Sequence, residues 1–272
     1  MARIISLVNQ KGGTAKTTTT VNLGAYLAAM GKYVLLIDLD PQANATLGLG
    51  LRLGADEKTI YDLFKDPRLS AEDVVRTTSQ ERLQIIPGSS AMSSVAVELI
   101  STPNWEYRLR SYLRVVKQCY HYILIDCPPA LNALAINALT AADDMIIPIQ
   151  THCFSLQGMK ELFGTVEGVR EKLNPLLKQG KILPTIFDRR TKINREMLQS
   201  IRNYFKDQVL ETVIHMNVRL IEAVLQGLPV IMYEEGSTGA RDYLALAREL
   251  IAQEAEQSRI GSGETPSSFV QV

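Results

Sequence analysis

The sequence has little cysteine, no long hydrophobic run and no excess of either charge. Its three cysteines, Cys119, Cys127 and Cys153, are odd in number and form no C-x-x-C pair, so neither a disulfide framework nor a zinc site is predicted. No apolar run reaches the roughly 18 residues of a membrane span, and the N-terminus does not resemble a signal peptide. We therefore expect a cytoplasmic protein that does not use a membrane.

The charges cancel, with 29 basic and 29 acidic side chains. This balance argues against a surface that is polybasic along the whole chain. The 272 residues, of which 46% are hydrophobic, are enough for one large core. We predict a single domain over residues 1–257. The remaining residues, 258–272, are rich in Ser, Gly and Pro and are predicted to be a disordered tail.

Short apolar runs alternate with stretches of helical spacing. The predicted strands are residues 4–9, 33–38, 83–87, 122–126, 145–149 and 182–187, and the predicted helices include 18–30, 104–118, 156–173, 194–205 and 237–257. Nearly continuous hydrophobic runs are typical of parallel strands that are buried on both faces. The alternation predicts an α/β fold with a mostly parallel, twisted sheet flanked by helices on both faces.

A loop of small and basic residues joins the first predicted strand to the first helix. Backbone N–H groups at such a helix N-terminus bind phosphates. Lys16 is expected to reach the β- and γ-phosphates, and the Thr17 hydroxyl is expected to ligate Mg²⁺. This arrangement predicts a P-loop NTPase. The candidate nucleotide-binding residues of the loop are Lys11, Gly12, Gly13, Thr14, Ala15, Lys16, Thr17 and Thr18.

Carboxylates follow two further predicted strands. Asp38 and Asp40 end the second run, and Asp126 ends the run at 122–126. Ligands of parallel sheets bind beyond the carboxyl ends of the strands, so these carboxylates should lie near the loop. One aspartate in such a place more often caps a helix, but three of them beside a P-loop favour a metal site. Thr17, Asp40 and Asp126 are the candidate magnesium residues.

The loop departs from the strict pattern G-x-x-x-x-G-K-[ST], because Gln10 and Ala15 stand at its two glycine positions. What remains, K-G-G-x-x-K-T, resembles the deviant Walker A motif of the ParA/MinD ATPases. Residues 35–46 are similar to the Walker A′ region of that family, and residues 122–129 to its Walker B motif. The resemblance extends over about residues 2–250 and points to the chromosomal, Soj-like branch of ParA.

The resemblance implies an ATPase that uses ATP and Mg²⁺, forms a homodimer on binding ATP, and hydrolyses it slowly unless stimulated. In the family the lysine matching Lys11 reaches the partner subunit's nucleotide, and the aspartate matching Asp40 helps to set up the attacking water. Together with Lys16 these are the candidate catalytic residues. The aspartate matching Asp188 lies near the base, and Asn217 belongs to the segment expected around the base.

The resemblance also implies a DNA-binding partition protein. The arginines matching Arg190 and Arg219 bind DNA in the Soj-like branch, where a ParB-like cargo adaptor stimulates release. Residues 178–206 support this expectation, because they carry eight basic and two acidic side chains, a net charge of +6. Few aromatic residues accompany them, so we expect non-specific contacts with the backbone of double-stranded DNA on the nucleoid. His215 and Met216 depart from the family, whose members often carry Pro-Arg there.

Three alternatives remain at this point. A MinD-like ATPase that cycles on membranes needs a basic amphipathic C-terminal helix, whereas residues 252–272 carry one arginine against three glutamates. The apolar stripe of the preceding helix is predicted to pack in the core. An iron–sulfur reductase needs paired cysteines, whereas Cys119 and Cys153 are predicted to lie in the core. A nucleotide-sensing scaffold without turnover is the third alternative, because Ala15 stands at a glycine position.

Overall fold

The computed structural model describes residues 1–54, 56–152 and 156–261. Its sheet has the strand order β3-β4-β2-β5-β1-β6-β7, and every pairing is parallel except that of β3 with β4. This confirms the mostly parallel sheet. The strands are β1 (Arg3–Leu7), β2 (Val34–Asp38), β3 (Arg76–Thr77), β4 (Leu83–Ile86), β5 (Tyr122–Asp126), β6 (Asp144–Gln150) and β7 (Lys181–Thr185).

Helices connect the strands and cover the sheet. They are α1 (Lys16–Ala29), α2 (Asn44–Gly48), α3 (Ile60–Lys65), α4 (Ala71–Val74), α5 (Met92–Glu98), α6 (Arg108–Val116), α7 (Ala133–Ala141), α8 (Leu156–Lys172), α9 (Lys192–Phe205), α10 (Val218–Leu225), α11 (Val230–Tyr233) and α12 (Thr238–Gly261), with 3₁₀ turns at Leu99–Ser101, Trp105–Tyr107 and Lys206–Gln208. The helix predicted at 104–118 is therefore divided. Asn104 has a left-handed φ of 54°, and a 3₁₀ turn precedes α6.

The side chains on each face of the sheet pack into a separate hydrophobic cluster. Leu35 and Ile123 pack with α6, α7 and α8, whereas their chain neighbours Leu36 and Leu124 pack with α1 and α12. Successive side chains of a strand point to opposite faces, so both faces are covered by helices, as predicted. In α12 the residues Tyr243, Leu246, Ala247 and Leu250 are fully buried, which confirms that the apolar stripe of this helix packs in the core.

Two sequence expectations about the rest of the chain are changed or left open. Cys119 is exposed rather than in the core, whereas Cys127 is buried; Cys153 lies outside the described residues. Helix α12 continues to Gly261, four residues into the predicted tail, and residues 262–272 lie outside the described residues. No helix among those described is long and apolar enough to cross a membrane.

The strand register brings the predicted site together. Asp126 at the end of β5 is the register partner of Asp38 in β2 and of Leu7 in β1. The loop that contains Lys16 follows β1 directly. The carboxylates and the phosphate-binding loop therefore meet at the carboxyl edge of three adjacent strands, where ligands of such sheets bind.

Candidate active site

A cavity of about 510 Å³ opens at this edge of the sheet. One part of its wall is the loop before α1, and another part is apolar and comes mainly from α10 and the segment before it. The predicted site residues that line it are Gly12, Gly13, Thr14, Ala15, Lys16, Thr17, Thr18, Asp40 and Asn217. The cavity thus offers N–H groups at one end and an apolar surface at the other, as a nucleotide requires.

Lys16 and Thr17 are tied to the loop and to the sheet beneath it. The Lys16 ammonium donates a hydrogen bond to the Lys11 carbonyl at 3.3 Å. Burial lowers the pKa of Lys16, and the negative charge of Asp126 opposes this shift. The Thr17 hydroxyl donates to Asp126 Oδ2 at 2.6 Å, and Thr20 donates to Oδ1 at 3.3 Å. Asp126 therefore lies under the cavity floor and does not line it.

The carboxylates fit a divalent cation. Asp38 and Asp126 are completely buried side by side, and burial is the main cause that raises the pKa of both. Repulsion from Asp40 adds to the shift of Asp38, and repulsion from Asp38 adds to the shift of Asp126. Asp38 Oδ1 is also buried without a hydrogen-bond partner among the described residues. A cation at this edge would favour the ionised forms. Thr17, Asp126 and Asp40 supply the hard oxygen atoms that Mg²⁺ prefers.

The structure distinguishes Asp38 from Asp40, which lie two residues apart. Asp38 Oδ2 accepts hydrogen bonds from the Thr46 amide at 2.9 Å and the Thr46 hydroxyl at 2.7 Å. A Cβ at Gly88 would lie 2.8 Å from the Asp38 carboxyl carbon, so Asp38 is closely enclosed. Asp40 instead lines the cavity, and its Oδ1 accepts a hydrogen bond from the Gln42 amide at 2.9 Å. Of these two carboxylates, Asp40 is thus the one that lines the cavity.

Two residues that support the loop were not predicted. The Gln150 side chain donates to the Gly13 carbonyl at 2.7 Å, and the Thr185 hydroxyl donates to the Thr14 carbonyl at 3.0 Å. They are the last residues of β6 and β7. Gln150 had a signal in the sequence, because it is a polar residue that ends an apolar run at the ligand-binding edge. Thr185 had none, because it lies inside the predicted strand at 182–187.

Ala15 has the left-handed conformation, with φ 69° and ψ 29°. Left-handed backbone is unfavourable for residues with a Cβ, by about 1 kcal/mol or more, and Gly13 in the same loop has a similar φ of 72°. The loop therefore has the backbone shape that suits glycine at both positions, and alanine stores strain at one of them.

Replacing Ala15 with glycine is expected to raise the free energy of unfolding by about 1 kcal/mol, because the strain is removed. Urea denaturation measures the change. The matched control is Ala245→Gly, an exposed site inside α12, which should lower the stability by about 1 kcal/mol. Destabilisation by both substitutions would show that Ala15 is not strained.

Two predicted nucleotide residues lie outside the cavity lining. Lys11 belongs to the loop, and its amide donates to Asn9 Oδ1 at 3.0 Å. Asp188 lies in an adjoining cavity of about 440 Å³. There it accepts a forked pair of hydrogen bonds from the Arg190 guanidinium, at 2.9 and 2.8 Å, and this arginine holds the pKa of Asp188 below its usual range, at about 2.

Comparisons with known proteins identify the family. A family model described as an AAA domain matches residues 2–179. The sporulation initiation inhibitor protein Soj of Bacillus subtilis is 45% identical over 93% of this chain and 99% of its own length. The chromosome-partitioning ATPase Soj of Treponema pallidum is 43% identical over 94% of this chain and all of its own. The chain belongs to the ParA/MinD family.

Solved structures of similar fold hold the nucleotide that the cavity suits. The septum site-determining protein MinD of Pyrococcus horikoshii, complexed with Mg-ADP, aligns with a TM-score of 0.75 and 28% identity over 94% of this chain and 98% of that one. Cobyrinic acid a,c-diamide synthase of Mycobacterium smegmatis, with ADP and magnesium, aligns with a TM-score of 0.80 and 29% identity over the full length of both chains. This ParA/MinD protein is an ATPase whose cofactors are ATP and Mg²⁺.

Proposed function

We propose that this partition ATPase acts through a DNA-bound homodimer. ATP binding joins two copies, the dimer binds double-stranded DNA without sequence preference, and a ParB-like cargo adaptor stimulates hydrolysis and release. The Soj and ParA relatives support the partition function. In this proposal the protein resides on the nucleoid during the ATP-bound part of the cycle.

The residues in and next to the cavity have separate proposed roles in ATP hydrolysis. Lys16 and the loop N–H groups hold the phosphates and offset their charge. Thr17 and Asp126 are the residues that would hold Mg²⁺, which supplies further positive charge at the phosphates. Asp40 faces the cavity, and within residues 1–54, 56–152 and 156–261 its carboxylate accepts a hydrogen bond from one group, the Gln42 amide. Its other oxygen can therefore orient the attacking water. Asp188 and Asn217 are proposed to border the base.

The DNA step rests on a row of exposed cations along α9. A helix advances 100° and 1.5 Å per residue, so the spacing of Lys192, Arg195 and Arg202 places these three within an arc of about 80° along about 15 Å of surface. Arg195 and Arg202 form no ion pair among the described residues, whereas Lys192 lies 3.4 Å from Glu196. Such a row matches the phosphates of one face of a duplex. The row consists of Lys192, Arg195 and Arg202, and the exposed Lys206 directly follows the helix with a left-handed φ of 49°.

The two arginines that the family resemblance implicates are also exposed, but each has an acidic partner. Arg190 pairs with Asp188, and Arg219 pairs with Glu222 at 2.7 Å. Exposed ion pairs contribute little to stability, so a DNA phosphate can replace either carboxylate. Arg190 and Arg219 are therefore retained as proposed DNA contacts beside the α9 row.

Salt dependence of DNA binding tests this proposal. The protein with ATP and Mg²⁺ is titrated onto random duplex DNA at several salt concentrations. Removing a phosphate contact lowers the slope of log K against log salt by about 0.9. Arg195→Ala with Arg202→Ala, and separately Arg190→Ala with Arg219→Ala, should each weaken binding and reduce this slope.

A matched control comes from another helix, α6. Arg110 and Arg114 are exposed on α6, four residues apart, and their replacement by alanine removes the same charge. Their double variant should keep nearly the wild-type slope. Equal slopes for all three double variants would mean that neither proposed surface contacts DNA, and absence of binding by the wild type would contradict the DNA step as a whole.

A further inference from the structure

His215 borders both the main cavity and the adjoining one, and its ring is held by two neighbours. Its backbone N–H donates to Asp242 Oδ2 at 2.8 Å, and its Nδ1 lies 3.0 Å from the same oxygen. The ring of Phe187 packs edge-on against the imidazole, with ring centroids 5.4 Å apart. The Asp242 side chain is 12% exposed and the His215 side chain 32%. The imidazole therefore has a fixed orientation, with its Nδ1 edge on the buried side.

Asp242 determines which imidazole nitrogen carries the proton. An ionised carboxylate only accepts hydrogen bonds, so Nδ1 of the neutral ring must donate and Nε2 keeps a lone pair. Burial raises the pKa of Asp242, while the hydrogen bonds from His215 favour its ionised form. No group within residues 1–54, 56–152 and 156–261 hydrogen-bonds to Nε2. Nε2 is thus an acceptor without a hydrogen-bond partner among the described residues, and it belongs to a residue that borders the cavity.

A bound nucleotide places its base in this part of the cavity. Its phosphates lie at the loop before α1, because the N–H groups are there. The wall next to His215 is formed by Ile214, Met216, Leu220 and Ile221. Apolar side chains of this kind suit the faces of a planar base, while specificity for one base requires a polar atom at its edge.

We propose that Nε2 of His215 accepts a hydrogen bond from the 6-amino group of adenine and thereby selects ATP over nucleotides with a 6-oxo base. A 6-oxo group presents lone pairs to the Nε2 lone pair, so no hydrogen bond forms and both acceptors are left unpaired. Asp242 is a positioning residue, because it acts through the tautomer of His215. This inference concerns the choice of nucleotide and does not depend on DNA binding or dimer formation.

The contribution of this hydrogen bond to nucleotide affinity is measured on the full chain with three nucleoside triphosphates. Dissociation constants are determined with Mg²⁺ at about pH 8, where an ordinary histidine is neutral. The ligands are ATP, purine riboside triphosphate, which has no group at C6, and inosine triphosphate, which has a 6-oxo group. ATP should bind about tenfold more tightly than the purine riboside nucleotide, the equivalent of one hydrogen bond. Inosine triphosphate should bind more weakly still.

Substitutions distinguish recognition of the base by His215 from the packing of its ring against Phe187. His215→Phe keeps a ring against Phe187 but has no acceptor, so ATP and purine riboside triphosphate should bind to it equally. Asp242→Ala frees the tautomer and should lower the preference for ATP over inosine triphosphate. Arg248→Ala is the matched control. It removes an exposed charge from the same helix, six residues after Asp242, and the preference should be unchanged.

Nitrogen-15 NMR of the wild-type His215 imidazole reports the protonation of Nε2 directly, and a role of the ring in packing alone would not change this signal when ATP is added. The Nε2 signal should be that of an unprotonated nitrogen, and it should shift when ATP is added but not when purine riboside triphosphate is added. Equal binding of these two nucleotides by the wild type, or a protonated Nε2 at the same pH, would overturn the proposal. These two measurements decide it even where a variant does not fold.

Discussion

Replacement of Asp40 by alanine is expected to abolish ATP hydrolysis while ATP binding is retained. Asp40 lines the cavity, whereas the neighbouring Asp38 is buried against Thr46 and Gly88. Loss of a group that orients the attacking water should reduce the single-turnover rate by about a hundredfold or more. Because hydrolysis ends the proposed ATP-bound state, the variant should accumulate as an ATP-bound dimer, which light scattering measures.

Asp40→Asn separates the chemistry of this residue from its structural contact. Its amide oxygen can still accept the hydrogen bond that the Gln42 amide gives to Asp40 Oδ1, but it lacks the carboxylate charge. We expect the asparagine variant to be as inactive as the alanine variant. Asp207→Ala is the control for loss of an exposed aspartate, and it should hydrolyse ATP at the wild-type rate. Normal hydrolysis by Asp40→Ala would remove the proposed role, and loss of ATP binding would make Asp40 a structural residue.

The sequence predicted the sheet well because buried parallel strands leave a strong local pattern. Five consecutive buried residues in β2 and in β5 are visible as uninterrupted hydrophobic runs. Strand β3 has only two residues, Arg76 and Thr77, and it forms because β4 offers a free edge. Such a strand depends on its partner and has no pattern of its own, so the sequence could not reveal it.

The candidate site was predictable in its residues but not in its arrangement. The order strand, glycine-rich loop, helix predicted the position of Lys16 and Thr17, and the strand ends predicted Asp126. The pairing of Asp188 with Arg190 could not be foreseen, because the family resemblance assigned the two residues separate roles. The hydrogen bond from Gln150 to Gly13 joins residues that are far apart in sequence, and only the sheet order brings them together.

Backbone strain around the cavity was also invisible in the sequence. Ala15, Ala43 and Ile186 have left-handed φ values of 69°, 51° and 55°, although left-handed backbone is unfavourable for residues with a Cβ and most of all for a β-branched one. Ala15 and Ile186 line the cavity, and Ala43 lies between the cavity-lining residues Gln42 and Asn44. Strain of this kind persists where the surrounding structure enforces it, which is typical of functional sites.

Lys11→Ala is expected to lower the rate of ATP hydrolysis by about a thousandfold, the effect of removing a cation that stabilises the charge of phosphoryl transfer. In the proposed dimer this cation belongs to the opposite subunit. Lys11 does not line the cavity of its own chain, which agrees with an action across the interface. Binding of ATP to the separated monomer should change little, because Lys16 and the loop N–H groups remain in place.

A mixture of two inactive variants tests whether Lys11 acts across the interface. In a dimer of one Lys11→Ala chain and one Asp40→Ala chain, the first chain keeps its own Asp40 and receives Lys11 from its partner, so one of the two sites is complete. Random pairing makes half of the dimers mixed, so an equal mixture should recover about a quarter of the wild-type activity. The homodimer of each variant should remain inactive. If Lys11 acted within its own chain, every site in the mixture would lack one of the two residues, and no activity would return.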